Sequence, residues 1–325
     1  MKKLSIIIPA FNAEDYIADA INSVYCQGQD EDLFSVIVVN DGSTDSTSSV
    51  ISGFIKGHSN LYLLNQKNNG VSVARNNGLE YSDADYITFL DADDKFAQAS
   101  LAQLFAIINR EDSDLIILRS YNDTDSVERY CWINVFESDR DYNFNDLYDK
   151  SFNRGSACGC IYKSSFLTNN HIFFPEGVAY GEDSIFFALC LIHARKVKFY
   201  DVDLYHITTR DNSALTTYNR GKINRFQKSV DYLSTYIKEH SLGFKEGSIL
   251  HHLKYRLISR CIHDACYAED MNYYDILRLR WLKSYLPIEM KAIKQQRMEI
   301  HLLNKSFSLY CTLAFLKNNL QKIIK

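Results

Sequence analysis

Proline is scarce, with three residues in a chain of 325. Because proline breaks helix interiors and central strands, its scarcity leaves room for long regular elements. Long apolar runs are missing as well, and no stretch approaches the ~20 apolar residues that a bilayer-spanning helix needs. The opening Met1-Lys2-Lys3 runs straight into Leu4–Ile8 and Pro9. That apolar segment is too short, and lacks the small-residue cleavage site, for a secretory signal. A cytoplasmic location is therefore expected. The eight cysteines (Cys26, Cys131, Cys158, Cys160, Cys190, Cys261, Cys266 and Cys311) fall mostly inside apolar runs and form no CxxC pair. Reduced, buried thiols are the expectation, rather than a disulfide framework. Cys158 and Cys160 would face the same side of a strand with no partner pair, which argues against half of a metal site.

What is present is the composition of an ordinary folded protein, 46% apolar and 23% charged, far from that of a disordered chain. The length exceeds the usual single domain and predicts a principal domain with a smaller C-terminal region. Charge is uneven. Residues 215–325 hold 19 Lys+Arg against 9 Asp+Glu, whereas the preceding part holds 17 against 31. An acidic half that needs a cation and a basic tail near an anionic surface would both fit, although helical surface charge alone could produce the tail's excess.

Short β-branched runs alternate with helical patterns through the first hundred residues: Leu4–Ile8 and Glu14–Cys26, Ser35–Asn40 and Asp45–Lys56, Leu61–Asn65 and Val71–Tyr81, Tyr86–Leu90 and Gln98–Asn109. Such alternation predicts βαβ units, an α/β fold and a mainly parallel sheet. Ligands in open sheets of this kind gather at the carboxyl ends of the strands. Those ends are polar in turn: Pro9-Ala10-Phe11-Asn12, Asp41-Gly42-Ser43, Asn68-Asn69-Gly70 and Asp91-Ala92-Asp93-Asp94. From Leu115 to Leu215 the pattern is mixed, with strand-like Cys158–Tyr162 and Lys198–Tyr200 around a helix near Ser184–Ala194. After Tyr218 only helices are predicted, over Lys222–Glu239, Ser248–Ala268, Tyr273–Leu282 and Ser306–Ile324.

Asp91-x-Asp93, with Asp94 beside it, sits at the mouth of a buried strand, and hard divalent cations favour such oxygen ligands. Its plain alternative is a solvated acidic turn. Asp41 could accept hydrogen bonds from a pyrimidine or ribose, or could form an Asx-turn with no ligand role. Arg75 lies on the first turns of a helix, where a cation opposes the dipole. A base or phosphate would explain it, and so would an ion pair with a nearby aspartate. Glu182-Asp183 opens an apolar helix, where the dipole favours acids; in a transfer to a hydroxyl, one of them, Asp183 by preference, would remove the proton. His206 and Arg210, after another strand-like segment, could reach a metal or a diphosphate.

Taken together, Ser5-Ile-Ile-Ile-Pro9-Ala-Phe-Asn12, Val39-Asn40-Asp41-Gly42-Ser43-Thr-Asp45, Gly70-Val-Ser-Val-Ala-Arg75-Asn76, Phe89-Leu90-Asp91-Ala92-Asp93-Asp94 and Gly181-Glu182-Asp183 make Lys3 to Ser213 resemble the family 2 glycosyltransferases of bacterial polysaccharide synthesis. The resemblance implies a GT-A fold, a mostly parallel Rossmann-like sheet flanked by helices, with a helical C-terminal region appended. It implies a catalytic domain over 1–215 (nucleotide-binding over 1–95, acceptor-binding over 96–215) and a helical region over 216–325. By the same resemblance Pro9, Ala10, Asn12, Asp41 and Arg75 would line a uridine pocket, Asp91 would meet the ribose or diphosphate, and Asp93 would bind Mn²⁺ or Mg²⁺. Asp183 would be the base of a single in-line displacement that inverts the anomeric centre. Arg210 and Ser213 match the family's pattern, while Ile207 stands where an aromatic is common.

The partners so implied are a nucleotide-sugar donor, a UDP-sugar by preference, and a glycan or lipid-linked oligosaccharide acceptor. Peripheral contact with the inner membrane surface and a homo-oligomer are both compatible with the basic C-terminal helices; no nucleic acid is expected. The family's membrane-embedded synthases carry transmembrane helices and a QxxRW-like motif. Neither appears in this sequence, which argues for addition of one sugar at a time. A nucleotidyltransferase would show a glycine-rich N-terminal loop with a basic residue, which Pro9-Ala-Phe-Asn lacks. A binding protein on a degenerate transferase fold would have no use for an intact Asp93 and Asp183.

Overall fold

The computed structural model describes residues 2–122, 135–149, 156–208, 220–268, 270–272, 275–276, 279–286 and 294–324. Along the chain stand β1 (Leu4–Ala10), α1 (Ile17–Tyr25), β2 (Phe34–Asn40), α2 (Thr47–Ile55), β3 (Leu61–Asn65), α3 (Val71–Tyr81), β4 (Tyr86–Phe89), β5 (Lys95–Phe96), α4 (Ser100–Ile108) and β6 (Leu115–Asn122). There follow α5 (Phe144–Asp149), β7 (Cys160–Lys163), α6 (Ser164–Asn169), α7 (Glu182–His193), β8 (Val197–Ile207), α8 (Arg220–Glu239), α9 (Phe244–Tyr267), a 3-10 helix at Arg280–Tyr285, α10 (Lys294–Lys305) and α11 (Phe307–Ile324). The chain folds into two compact units, Met1–Gly177 with Leu189–Thr209, and Val178–Ala188 with Arg210–Lys325.

The first unit is built on an eight-stranded sheet of order β3-β2-β1-β4-β7-β6-β8-β5. Strands β3, β2, β1 and β4 are parallel neighbours, and β6 and β8 are parallel to each other. Antiparallel pairing enters through β7, between β4 and β6, and through the two-residue β5 against β8. Every residue of β1 and β2 is buried, as expected of strands covered on both faces, whose apolar runs need not alternate. Helix α1 covers the sheet through Ile17, Ala20, Ile21 and Val24, one stripe at helical spacing.

Helix α3 departs from that rule, because it buries Ser72, Arg75 and Asn76 beside Ala74 and Gly78. Gly78 makes this possible. A Cβ built there would lie 2.4 Å from Ile7 Cγ2, so glycine lets the helix backbone settle directly on β1. A helix that gives its inner face to polar groups breaks local sequence logic, and such breaks concentrate at functional sites.

The elements expected along the first hundred residues are present. The first helix begins later than expected, at Ile17, because Asn12 and Glu14 are engaged in bonds to the β2–α2 loop. The strand expected at Lys198–Tyr200 runs on to Ile207. Helices α5 and α6, of six residues each, are too short to show a helical period, and the polar α10 was not expected either. Part of the helix expected over Tyr273–Leu282 lies outside the described residues. Among the described residues the seven cysteines form no disulfide, and only Cys26 is exposed. No helix among them is long and apolar enough to cross a membrane.

Candidate active site

The carboxyl ends of β1, β2 and β4 are cross-tied into one polar rim. Asn12 takes a left-handed conformation, φ 47°, which asparagine tolerates better than most residues. In that pose its side-chain oxygen accepts the Thr44 N–H at 2.9 Å, while its own N–H donates to Ser43 Oγ at 2.9 Å. Glu14 accepts the Ser46 N–H at 2.7 Å, and the Ala13 N–H donates to Thr47 Oγ1 at 2.8 Å. Burial would raise the Asp45 carboxyl, but bonds from the Thr47 hydroxyl and backbone amides outweigh it and hold the group below its ordinary value. Pro9 and Ala10, the last residues of β1, are buried beneath this lacing.

Asp41 directly follows β2 and ties it to the loop before α3. Its Oδ1 accepts from Gln66 Nε2 at 2.8 Å and from the Asn69 N–H at 2.8 Å, and its Oδ2 from the Gly70 N–H at 2.9 Å. A carboxylate offers about four acceptor sites, so one remains after these three bonds. Gly42 follows with φ +72°, and a Cβ there would lie 2.8 Å from the Asn68 nitrogen. The Asp41-Gly42 turn and the Asn68-Asn69-Gly70 loop therefore approach as closely as backbone can.

Arg75 is 3% exposed and its Nη2 meets Asp91 Oδ1 at 2.8 Å. The guanidinium also lies 5.0 Å from the Phe174 ring centroid. Phe174 is fixed by two reciprocal bonds to the Asn76 amide, 2.9 and 3.0 Å long. The ion pair with a nearby aspartate is thus part of what holds this buried cation.

Asp91, Asp93 and Asp94 bring one carboxylate oxygen each within 4.8 Å of the others, the first two half-buried and Asp94 buried. An oxygen-only set of this kind suits Mn²⁺ or Mg²⁺. The three are not equivalent. Asp94 accepts the Tyr205 hydroxyl at 2.7 Å and the Thr208 N–H at 2.8 Å, and Tyr205 in turn accepts the Asp91 N–H at 3.2 Å. Burial raises the Asp94 carboxyl to about 6, against the lowering effect of those bonds. Asp94 is thus engaged behind the turn, leaving Asp91 and Asp93 as the half-buried members.

The antiparallel β5–β8 pairing sets Lys95 opposite His206 and Phe96 opposite Tyr205. Successive strand residues face opposite ways, so Tyr205 serves the aspartates while His206 stacks on Tyr121 with centroids 4.8 Å apart. Among the described residues, His206 is not a member of the carboxylate cluster. Arg210 and Ser213 lie outside the described residues. Tyr205, Asn76, Gln66 and Phe174 were not singled out from sequence; only the period-two reading of β8, extended to Ile207, could have pointed to Tyr205.

Glu182 and Asp183 form the first turn of α7 and belong to the second unit. The helix is entered through Gly181, φ 77°, whose carbonyl accepts the Ile185 N–H at 2.9 Å.

A parallel sheet whose strand ends carry an acidic cluster, a buried arginine and an anchored carboxylate defines an α/β protein of GT-A architecture. Comparison with known proteins agrees: residues 5–167 match the model of "Glycosyl transferase family 2", and the chain belongs to that family. It is 27% identical over 220 residues to the poly(ribitol-phosphate) beta-glucosyltransferase of Bacillus spizizenii, covering 66% of this chain and 33% of that protein. The crystal structure of Staphylococcus aureus TarS 1–349 in complex with UDP-GlcNAc superposes with a TM-score of 0.69 at 19% identity, over 98% of this chain and 92% of that one. The mannosyltransferase PcManGT from Pyrobaculum calidifontis, in complex with GDP-Man and Mn²⁺, gives 0.58 at 17% identity over 98% and 88%. The chain spans about a third of the length of the first curated relatives that it matches.

Proposed function

We propose that the protein transfers a sugar from a nucleotide-diphosphate donor, a UDP-sugar by preference, to a hydroxyl of a cell-surface glycan or its lipid-linked precursor, with inversion at the anomeric carbon. The observation that carries the proposal is the set of three carboxylates within 4.8 Å on the same rim as Asp41 and Arg75, in a chain of family 2. UDP-GlcNAc and UDP complexes of a structural neighbour support a uridine donor.

In this reading the buried end of β1, Pro9 and Ala10, forms the floor beneath the base and Asn12 shapes its edge. The remaining acceptor site of Asp41 takes an N–H or O–H of the nucleoside. Arg75 supplies positive charge that remains partly balanced by Asp91. Asp91 and Asp93 would hold Mn²⁺ or Mg²⁺, which when bound neutralises charge on the departing diphosphate. Asp183, with Glu182 beside it, takes the acceptor hydroxyl proton as that oxygen bonds to the anomeric carbon and the bond to the diphosphate oxygen breaks. Arg210 remains a candidate partner of the diphosphate. His206 remains a candidate metal ligand, its ring stacked on Tyr121.

The test is a screen of UDP- and GDP-sugars for donor hydrolysis and thermal stabilisation, each with Mn²⁺ and with EDTA. A metal-dependent response to a UDP-sugar, lost in Asp93→Asn, is expected. Stabilisation by a donor with no turnover under any condition would instead indicate an inert binder on the same fold, and indifference to metal would remove the role assigned to the aspartates.

A further inference from the structure

The turn that leads into Glu182-Asp183 is gripped by two helices of its own unit. Tyr180 lays its ring on Phe226 of α8, centroids 5.3 Å apart and 14° from parallel, and its carbonyl accepts Ser229 Oγ at 2.5 Å. One turn before Phe226, Lys222 Nζ stands 5.4 Å from the Tyr180 ring centroid. The same ammonium pairs at 3.0 Å with Asp264 of α9, the two side chains being 3% and 0% exposed. Asp264 also takes Arg260 Nε at 2.6 Å and His263 Nδ1 at 3.2 Å. Burial would raise the Asp264 carboxyl, and these bonds outweigh it and keep it ionised. At Gly181 a Cβ would lie 2.7 Å from Leu257 Cδ2 on α9, so the turn and α9 are in direct contact.

A buried ion pair is a poor device for stability alone, since well-packed apolar residues of similar volume commonly do as well or better. What it provides is direction. A desolvated ammonium has few low-energy positions, and this one is shared between a fixed carboxylate and the face of an aromatic ring, which attracts a cation. Nothing in the proposed chemistry uses Lys222 or Asp264 directly.

We propose that the buried Lys222–Asp264 pair is a positioning device for the Glu182-Asp183 turn, acting through the Tyr180 ring and the Gly181 backbone to fix the carboxylate that receives the acceptor proton. The proposal rests on the role given to Asp183, and it makes α8 and α9 part of the transfer apparatus rather than an appended platform.

The test compares the full chain with Lys222→Met, which keeps the chain's length and leaves Asp264 its Arg260 and His263 partners. Lys198→Met serves as the control; it breaks another shielded pair, with Glu111 at 3.0 Å and side chains 11% and 5% exposed. Hydrogen exchange in the peptide spanning 178–188 should quicken about tenfold or more in Lys222→Met and stay unchanged in Lys198→Met. Once a donor is identified, kcat should fall about tenfold with the donor KM within about twofold, since only placement for the reacting step is lost. The acid limb of the kcat–pH profile should move as well, and Lys222→Arg should restore most of the rate. Unchanged exchange in Lys222→Met overturns the proposal, as does equal loss of kcat in both methionine variants. Should the native protein turn over no donor, the proposed function fails, while the exchange comparison still decides whether the clamp exists.

Discussion

Tyr205→Phe removes a single oxygen from the middle of the acidic turn. The ring is 2% exposed and stays, so no cavity opens and the whole effect lies in hydrogen bonds. Two are lost, the 2.7 Å donation to Asp94 and the 3.2 Å bond from the Asp91 N–H. A buried group left without its partner costs about 1–3 kcal/mol, with charged acceptors at the upper end, so a total of about 2–4 kcal/mol is expected. For a unit of this size that corresponds to a Tm lower by roughly 4–16 °C. The loss should depend on pH. The Asp94 carboxyl stands at about 6 in the folded protein against an ordinary 3.8, so it retains a proton that the unfolded chain has released. Stability from this group therefore falls as pH rises from about 4 through 6. Without the tyrosine bond, which favours the carboxylate, the folded value climbs further and the fall extends to higher pH. Thermal denaturation in EDTA should accordingly show a large difference between variant and native protein at pH 8 and a small one at pH 5. Equal differences at the two pH values, or a loss below about 1 kcal/mol at pH 8, would refute the reasoning.

Gly42→Ala should destabilise more than Gly28→Ala. Both glycines have positive φ, which costs an alanine about 1–2 kcal/mol, but only at Gly42 would the new carbon meet backbone, 2.8 Å from the Asn68 nitrogen, whereas Gly28 has nothing within 4 Å. Equal losses in chemical denaturation would mean that the two loops have room to part. In the helical unit, burial with the Arg256 charge beside it lowers the His252 imidazole to about 4 from 6.5. The unfolded chain binds that proton first, so stability is lost as pH falls from about 6.5 through 4, by at most about 3 kcal/mol. His252→Gln should flatten this part of the Tm–pH curve, and an unchanged curve would show that other groups set the acid lability.

Much of the first unit is written locally. The β-branched runs at Leu4–Ala10 and Phe34–Asn40, each followed by polar residues and a helical period, specify parallel strands through burial on both faces, and the acids after β4 follow from that register. Asp41-Gly42 is legible for the same reason, since a glycine with positive φ after a strand signals a tight turn. The short helices α5 and α6 and the polar α10 were not legible, because such helices are held by what they pack on rather than by their own pattern.

Tertiary structure alone decided who holds whom. Sequence placed Arg75 near a helix start and offered two partners for it; packing of α3 on β1, permitted by Gly78, buried it and brought Asp91 to its guanidinium. Sequence pointed to His206 and passed over Tyr205 beside it. The strand parity of β8 sent one to the aspartates and the other to Tyr121. The C-terminal helices announced themselves by period and charge, yet no spacing in the chain foretold that Lys222 and Asp264 would meet beneath Tyr180. Such pairings are set by the small difference between large burial and entropy terms over a whole unit, and a linear pattern carries no record of that sum.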